Sequence, residues 1–383
     1  MIKKVSITTG TRSEYGLLRP IIKKISQNKK LKLYLIVAGM HLSKKYGMTI
    51  DEIKNDGFKI SATVNMVPKN DSAFNMSDAL GKGIRDFSKI FQKIEPDINI
   101  ILGDRDEAFA SAISASHMNI PNAHIHGGDK SKAGIDEYNR HAITKLSNIH
   151  FAATKKSKER IIKMGENPKF VLFSGSPGID DVIKNKITSK IELEKKFKIK
   201  FLGQEIILLQ HPVTTQIEQS ETQIQSTLNV ISKIKKPTIA IAPNSDAGNS
   251  AIFKNLKTYS KEFPFIKVHK SIPRSDYLGL LKYGGVLVGN SSSGIIEASY
   301  FSIPVVNIGI RQQNRESGKN VIHIKNFSEK SIHLALLNAL KLKQGKKLSP
   351  LSIYGNGNSS EIIIKFLTNL KINDELIQKQ IYY

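Results

Sequence analysis

Residues 98–107 read INIILGDRDE, a mostly apolar run that stops at a glycine and breaks into consecutive charges. A short apolar run of this kind predicts a strand covered on both faces, as in a parallel sheet. The signature recurs on either side. Val5–Thr8, Leu33–Val37, Ala123–Ile125, Ile149–Ala152 and Val171–Phe173 read as strands, with helical stretches such as Leu18–Gln27 and Glu107–His117 between them. That alternation predicts βαβ units. A charged, lysine-rich stretch from Thr188 to Gly203 interrupts the pattern, which restarts with Ile206–Leu209, Thr238–Ala242, Ile266–His269, Val286–Val288, Pro304–Asn307 and Val321–Ile324. The expectation is an α/β chain with two doubly wound domains, 1–187 and 188–358, and a final helical segment over 359–383.

Composition narrows the function. The chain has 383 residues, more than one core usually organises, and 40% of them are apolar. It has no cysteine, so disulfides, thiolate metal sites and thiol nucleophiles are excluded. No apolar stretch is long enough for a membrane span, and the opening residues run straight into a strand, so the expectation is a cytoplasmic protein with no membrane partner. The formal charge of +25 raises the question of nucleic acid. The lysines are scattered in pairs such as Lys23-Lys24 and Lys235-Lys236, with no recognised nucleic-acid signature. The expectation is a basic surface that attracts small anions, and no nucleic-acid partner.

In open α/β sheets, ligands bind beyond the carboxyl ends of the strands. After the first strand, Gly10-Thr11-Arg12 opens a turn whose amides suit an anion, with Arg12 as an added donor fork; a plain turn with a surface arginine is the alternative. After Leu102 come Asp104 and Arg105. Asp104 reads as an acid or base, or as a helix cap, and Arg105 as a phosphate or carboxylate partner. His124, His126 and Asp129 lie on a Gly-rich loop, and Asp136 and Arg140 share a face of the next helix as an ion pair or as part of a site. This spacing matches no zinc motif, so no metal is expected. In the second half, His211 and Asn244 follow strands. Gly289-Asn290-Ser291-Ser292-Ser293-Gly294 reads as a strand, a Gly/Ser loop and a helix start, which cradle phosphate. Glu297 suits ribose hydroxyls better than phosphate, and Arg311 adds charge at the same edge.

Seven segments together resemble the hydrolysing UDP-N-acetylglucosamine 2-epimerases of sialic and related nonulosonic acid pathways. They are GTRSEYG (10–16), GDR (103–105), HIHGGD through IDEYNRHAITK (124–145), QHPVTT (210–215), APNSDAG (242–248), GNSSSG with the following Glu297 (289–297), and GIRQQNRESG (309–318). They are collinear over about residues 5–320. The resemblance implies two Rossmann-like domains facing a central cleft, as in GT-B glycosyltransferases, with the last helix returning to the first domain. It also implies a homo-oligomer, a dimer or tetramer, acting on a UDP-sugar without a cofactor. The implied reaction takes UDP-N-acetylglucosamine and water to N-acetylmannosamine and UDP. On the family pattern Asp104, Asp136 and His211 are catalytic. His126 stands where some members carry a glutamate and joins that group. Arg12, Arg105, Asn244, Ser291, Ser292, Glu297 and Arg311 hold the UDP-sugar. The alternatives are a nonhydrolysing epimerase, a hydrolysing epimerase for a 2,4-diacetamido-trideoxy UDP-sugar, a GT-B glycosyltransferase, or a basic nucleic-acid-binding protein.

Overall fold

The computed structural model describes residues 2–70, 72–132, 134–184, 187–345 and 353–383. The chain forms two compact units. Unit 1 comprises Met1–Lys130, Ile135–Lys184 and Tyr354–Tyr383; unit 2 comprises Ser131–Gly134 and Asn185–Ile353.

The sheet of unit 1 contains β1 (Lys3–Thr9), β2 (Leu31–Ala38), β3 (Ile60–Val64), β4 (Ile98–Leu102), β5 (Asn122–Ile125), β6 (Ile149–Ala152) and β7 (Val171–Phe173). They are parallel throughout, in the order β3-β2-β1-β4-β5-β6-β7. Unit 2 repeats the plan with β8 (Ile206–Leu209), β9 (Thr238–Ile241), β10 (Ile266–His269), β11 (Val286–Gly289), β12 (Val305–Ile308) and β13 (Val321–Ile324), in the order β10-β9-β8-β11-β12-β13. The direction of winding reverses between β1 and β4 in one sheet and between β8 and β11 in the other. Each reversal parts the connecting loops at the carboxyl edge, where open α/β sheets take ligands.

The central strands carry Val5, Ile7, Leu35, Ile100 and Ile125 into one core and Leu208, Val288, Val306 and Ile308 into the other, all fully buried or nearly so. This is why they are apolar on both faces. The sequence signal missed β3. It is an edge strand whose side chains alternate between half-buried and exposed, with Lys59, Ser61 and Thr63 diluting the pattern. The first helix begins earlier than its apolar pattern suggests, at Arg12. Thr11 and Glu14 close a capping box there.

The helix Ser359–Asn369 packs in unit 1, burying Ile363 and Leu367 in the core of β1. Both oxygens of the buried Asp180 accept from its first amides, Ser359 N at 2.9 Å and Ser360 N at 2.7 Å. Lys3 Nζ donates to the carbonyls of Leu367 and Thr368, both at 2.9 Å. Further on, Lys379 Nζ reaches the Glu166 carboxylate at 2.6 Å, and Lys145 Nζ approaches its other oxygen at 2.6 Å. His150 Nε2 lies 3.0 Å from Glu166 as well. The Glu166 side chain is 2% exposed. Burial opposes its charge, yet the bonds from His150 and the two lysines hold it down at about 2. His150 is itself pushed down by burial, which makes the lysines the cationic partners at neutral pH.

Candidate functional site

In unit 1, Gly103 takes a left-handed φ of 77° directly after β4, turning the chain sharply. Buried His124, from β5, bonds the Gly103 carbonyl through Nε2 at 2.7 Å and Thr144 through Nδ1. Burial lowers its pKa to about 3, so a neutral imidazole supports the turn. The turn presents Asp104. The N-cap position of the following helix, Asp106–His117, is Arg105 rather than Asp104. Asp104 instead accepts from the guanidinium of Arg140, whose other terminal nitrogen donates to Glu137. The Arg140 side chain is 1% exposed, so it is a charge clamp built into the helix Ile135–Leu146. Asp136 is buried in the first turn of the same helix.

Arg105 Nε lies 3.4 Å from Glu107, whose carboxylate fills the space over two glycines. A Cβ on Gly10 would come within 2.6 Å of Glu107 Cδ, and one on Gly39 within 1.9 Å of its Oε1. The expected anion-binding amides of the first turn are already engaged. Gly10 N and Thr11 N both donate to Glu14 Oε2, at 2.9 Å each. The reason is the capping box, which occupies the helix start with the protein's own carboxyl group. Burial, then the charge of Glu107, pushes Glu14 up to about 8. Arg12 pairs with Glu52 through Nε.

His126 directly follows β5 at φ 65°, unusual for a residue with a Cβ. Its Nδ1 lies 3.2 Å from Asp129 and its Nε2 2.9 Å from Ser176, while Ser157 donates to the other Asp129 oxygen at 2.7 Å. All four side chains are buried.

In unit 2 the loops after β8, β9, β11 and β12 are tied together. His211 N donates to Asn290 Oδ1 at 2.7 Å and Asn290 Nδ2 returns a bond to the His211 carbonyl at 2.8 Å. Asn244 N donates to His211 Nδ1 at 3.1 Å. That bond makes Nδ1 the acceptor, so the neutral ring carries its proton on Nε2. Asn244 Oδ1 is buried without a hydrogen-bond partner among the described residues. Arg311 donates to the Asn290 carbonyl at 3.3 Å. Ser291 and Ser292 are half-buried. Glu297 is 3% exposed at the end of the one-turn helix Ser293–Ile296 and accepts from Arg274 and Ser293.

Thus unit 1 gathers Arg12, Asp104, Arg105, His126 and Asp136 at its carboxyl edge, and unit 2 gathers His211, Asn244, Ser291, Ser292, Glu297 and Arg311 at its own. Sequence reading overlooked Glu14, Glu107 and Arg274. Each looks like an ordinary helix charge until its burial is known. Among the described residues no cluster of His, Asp or Glu is disposed to hold a metal ion, and no helix is long and apolar enough to cross a membrane.

Residues 23–368 match the family model described as UDP-N-acetylglucosamine 2-epimerase. A Legionella pneumophila protein named UDP-N,N'-diacetylbacillosamine 2-epimerase (hydrolyzing) is 35% identical over 99% of both chains. A Neisseria meningitidis UDP-N-acetylglucosamine 2-epimerase is 33% identical over 89% of this chain and 88% of its own. Among solved structures, the N. meningitidis UDP-GlcNAc 2-epimerase bound to UDP-GlcNAc matches the fold with a TM-score of 0.81 at 20% identity, over 96% of this chain and 100% of that one. With a relative this similar along its whole length and a family model covering most of its residues, the chain belongs to the UDP-N-acetylglucosamine 2-epimerase family.

Proposed function

We propose that this UDP-sugar 2-epimerase is hydrolysing, converting a UDP-linked 2-acetamido sugar and water to the 2-epimeric free sugar and UDP. UDP-N,N'-diacetylbacillosamine is the first substrate to assign, supported by the Legionella relative's name. UDP-N-acetylglucosamine, giving N-acetylmannosamine for a sialic-acid-type pathway, is the second, supported by the Neisseria relative. The observation that carries the chemistry is Asp104, oriented by the buried Arg140 at the winding reversal of unit 1.

The C2 proton of such a sugar becomes removable only as the C1–O bond to UDP breaks, so the departing diphosphate must be stabilised. We assign this task to Arg311, Ser291 and Ser292, with Arg12 and Arg105. His211 donates from Nε2 to the leaving oxygen. Asn244 recognises the nucleoside and Glu297 the ribose. One of Asp104 and Asp136 takes the C2 proton while the C1–O electron pair leaves with UDP, giving a glycal. The other returns a proton to the opposite face of C2, and water adds at C1. His126, with both ring nitrogens engaged, acts from behind by fixing the loop that carries Asp129. In the same proposal the enzyme is cytoplasmic and a homo-oligomer. Proton NMR in D2O with each UDP-sugar tests the reading. It expects free UDP, deuterium at C2 and a free 2-epimeric hexosamine. An epimerised sugar still linked to UDP would make the enzyme nonhydrolysing.

A further inference from the structure

We propose that Arg274 is a positioning residue for Glu297, setting the enzyme's preference for ribonucleotides over 2'-deoxyribonucleotides. The inference rests on the reading of unit 2 as the nucleoside diphosphate unit. Arg274 begins the helix Arg274–Tyr283 and is buried, as is Glu297. Its guanidinium donates to Glu297 Oε1, and Ser293 Oγ donates to Oε2. Tyr277 donates to Ser293 Oγ at 2.8 Å in turn. Burial and the charge of Glu297 push the Tyr277 phenol up, so it stays a donor. The chain Tyr277–Ser293–Glu297–Arg274 therefore pins both carboxylate oxygens from within unit 2.

A carboxylate oxygen has two lone pairs. Each Glu297 oxygen has one protein donor in this network, which leaves acceptor capacity on both. A pinned carboxylate with capacity on both oxygens matches a vicinal diol, whose two hydroxyls are both donors. A buried glutamate without its cation would lose that geometry and with it the alignment of its free lone pairs on the diol. UDP then loses both hydroxyl contacts and 2'-deoxy-UDP only the one to its 3'-hydroxyl, and affinity supplied by phosphate and base is retained.

Isothermal titration calorimetry of UDP and 2'-deoxy-UDP on the full chain tests this. The wild type is expected to favour UDP by about tenfold or more, the range of a hydrogen bond to a charged group. Arg274→Gln is expected to bring the two affinities within about twofold by weakening UDP more than 2'-deoxy-UDP, and Arg274→Lys to restore part of the preference. Ser293→Ala, which leaves the ion pair in place, serves if Arg274→Gln does not fold, and should reduce the preference in part. An Arg274→Gln protein that keeps the full preference, or that weakens both nucleotides equally, overturns the inference, as does an unaltered preference in Ser293→Ala. A wild type that binds UDP without preferring it over the deoxy form also overturns the inference and leaves the reading of unit 2 intact. A wild type that binds neither nucleotide removes that reading itself.

Discussion

Replacing Glu166 by Gln should destabilise unit 1 by an amount the structure allows to be worked out. The folded carboxyl titrates at about 2 against an ordinary value of 4.5. That difference corresponds to about 3 kcal/mol of stability at neutral pH. The carboxyl is depressed in the fold, so this stability is present above the unfolded value and is lost as pH falls through about 2. The variant removes the counter-charge of Lys145 and Lys379 together. Breaking a buried pair from one side costs a similar few kcal/mol, which agrees with the linkage figure. For a unit of this size, 3 kcal/mol is about 6–12 °C in melting temperature. Calorimetry of both proteins near pH 7 should show that gap. Near pH 3 it should shrink to less than half, because the wild-type contribution there is only about 1 kcal/mol. A variant that melts within about 2 °C of wild type at neutral pH, or a gap that does not change with pH, would refute the assignment of Glu166 as an ionised anchor.

Three further outcomes concern the reaction. Asp104→Asn should leave UDP affinity nearly intact and lower turnover by at least about a hundredfold; wild-type turnover would remove Asp104 from the chemistry. Arg311→Ala should raise the Kd for UDP by about tenfold or more, as expected for a lost charged contact, and calorimetry that finds no change would contradict its role. Gly39→Ala, at a left-handed φ of 55° and against Glu107, should cost about 1–2 kcal/mol in urea unfolding and displace Glu107 from Arg105. Normal stability and normal turnover together would show that Glu107 has room to move.

Much of this molecule could be read before any coordinates. Strands such as Ile98–Leu102 and Ile206–Leu209 announced themselves because a parallel sheet buried on both faces needs nearly continuous apolar runs. The candidate site residues were read by the same route, since whatever follows such a strand faces the ligand edge. What escaped was either diluted or disguised. The edge strand Ile60–Val64 is half exposed, so its polar positions blur the signal. Glu14, Glu107 and Arg274 are charges on amphipathic helices, where sequence alone predicts a solvated face. Glu107 lies against Gly10 and Gly39, and Arg274 pairs with Glu297, so these two are buried by other elements that pattern within a window cannot see. The amides of Gly10 and Thr11 illustrate the opposite error. The turn is legible from its glycine, but its amides are filled by Glu14, the glutamate three residues past Thr11.

The segment Tyr354–Tyr383 belongs to unit 1, although all but a few residues of unit 2 are encoded between it and the rest of that unit. A nascent chain therefore cannot finish its first-begun half when that half emerges. The core of unit 1 stays short of Ile363, Leu367 and the Lys379 anchor until the ribosome has delivered the intervening sheet. Translation order and folding order part company here, and a stop codon late in the gene would injure the beginning of the protein rather than its middle.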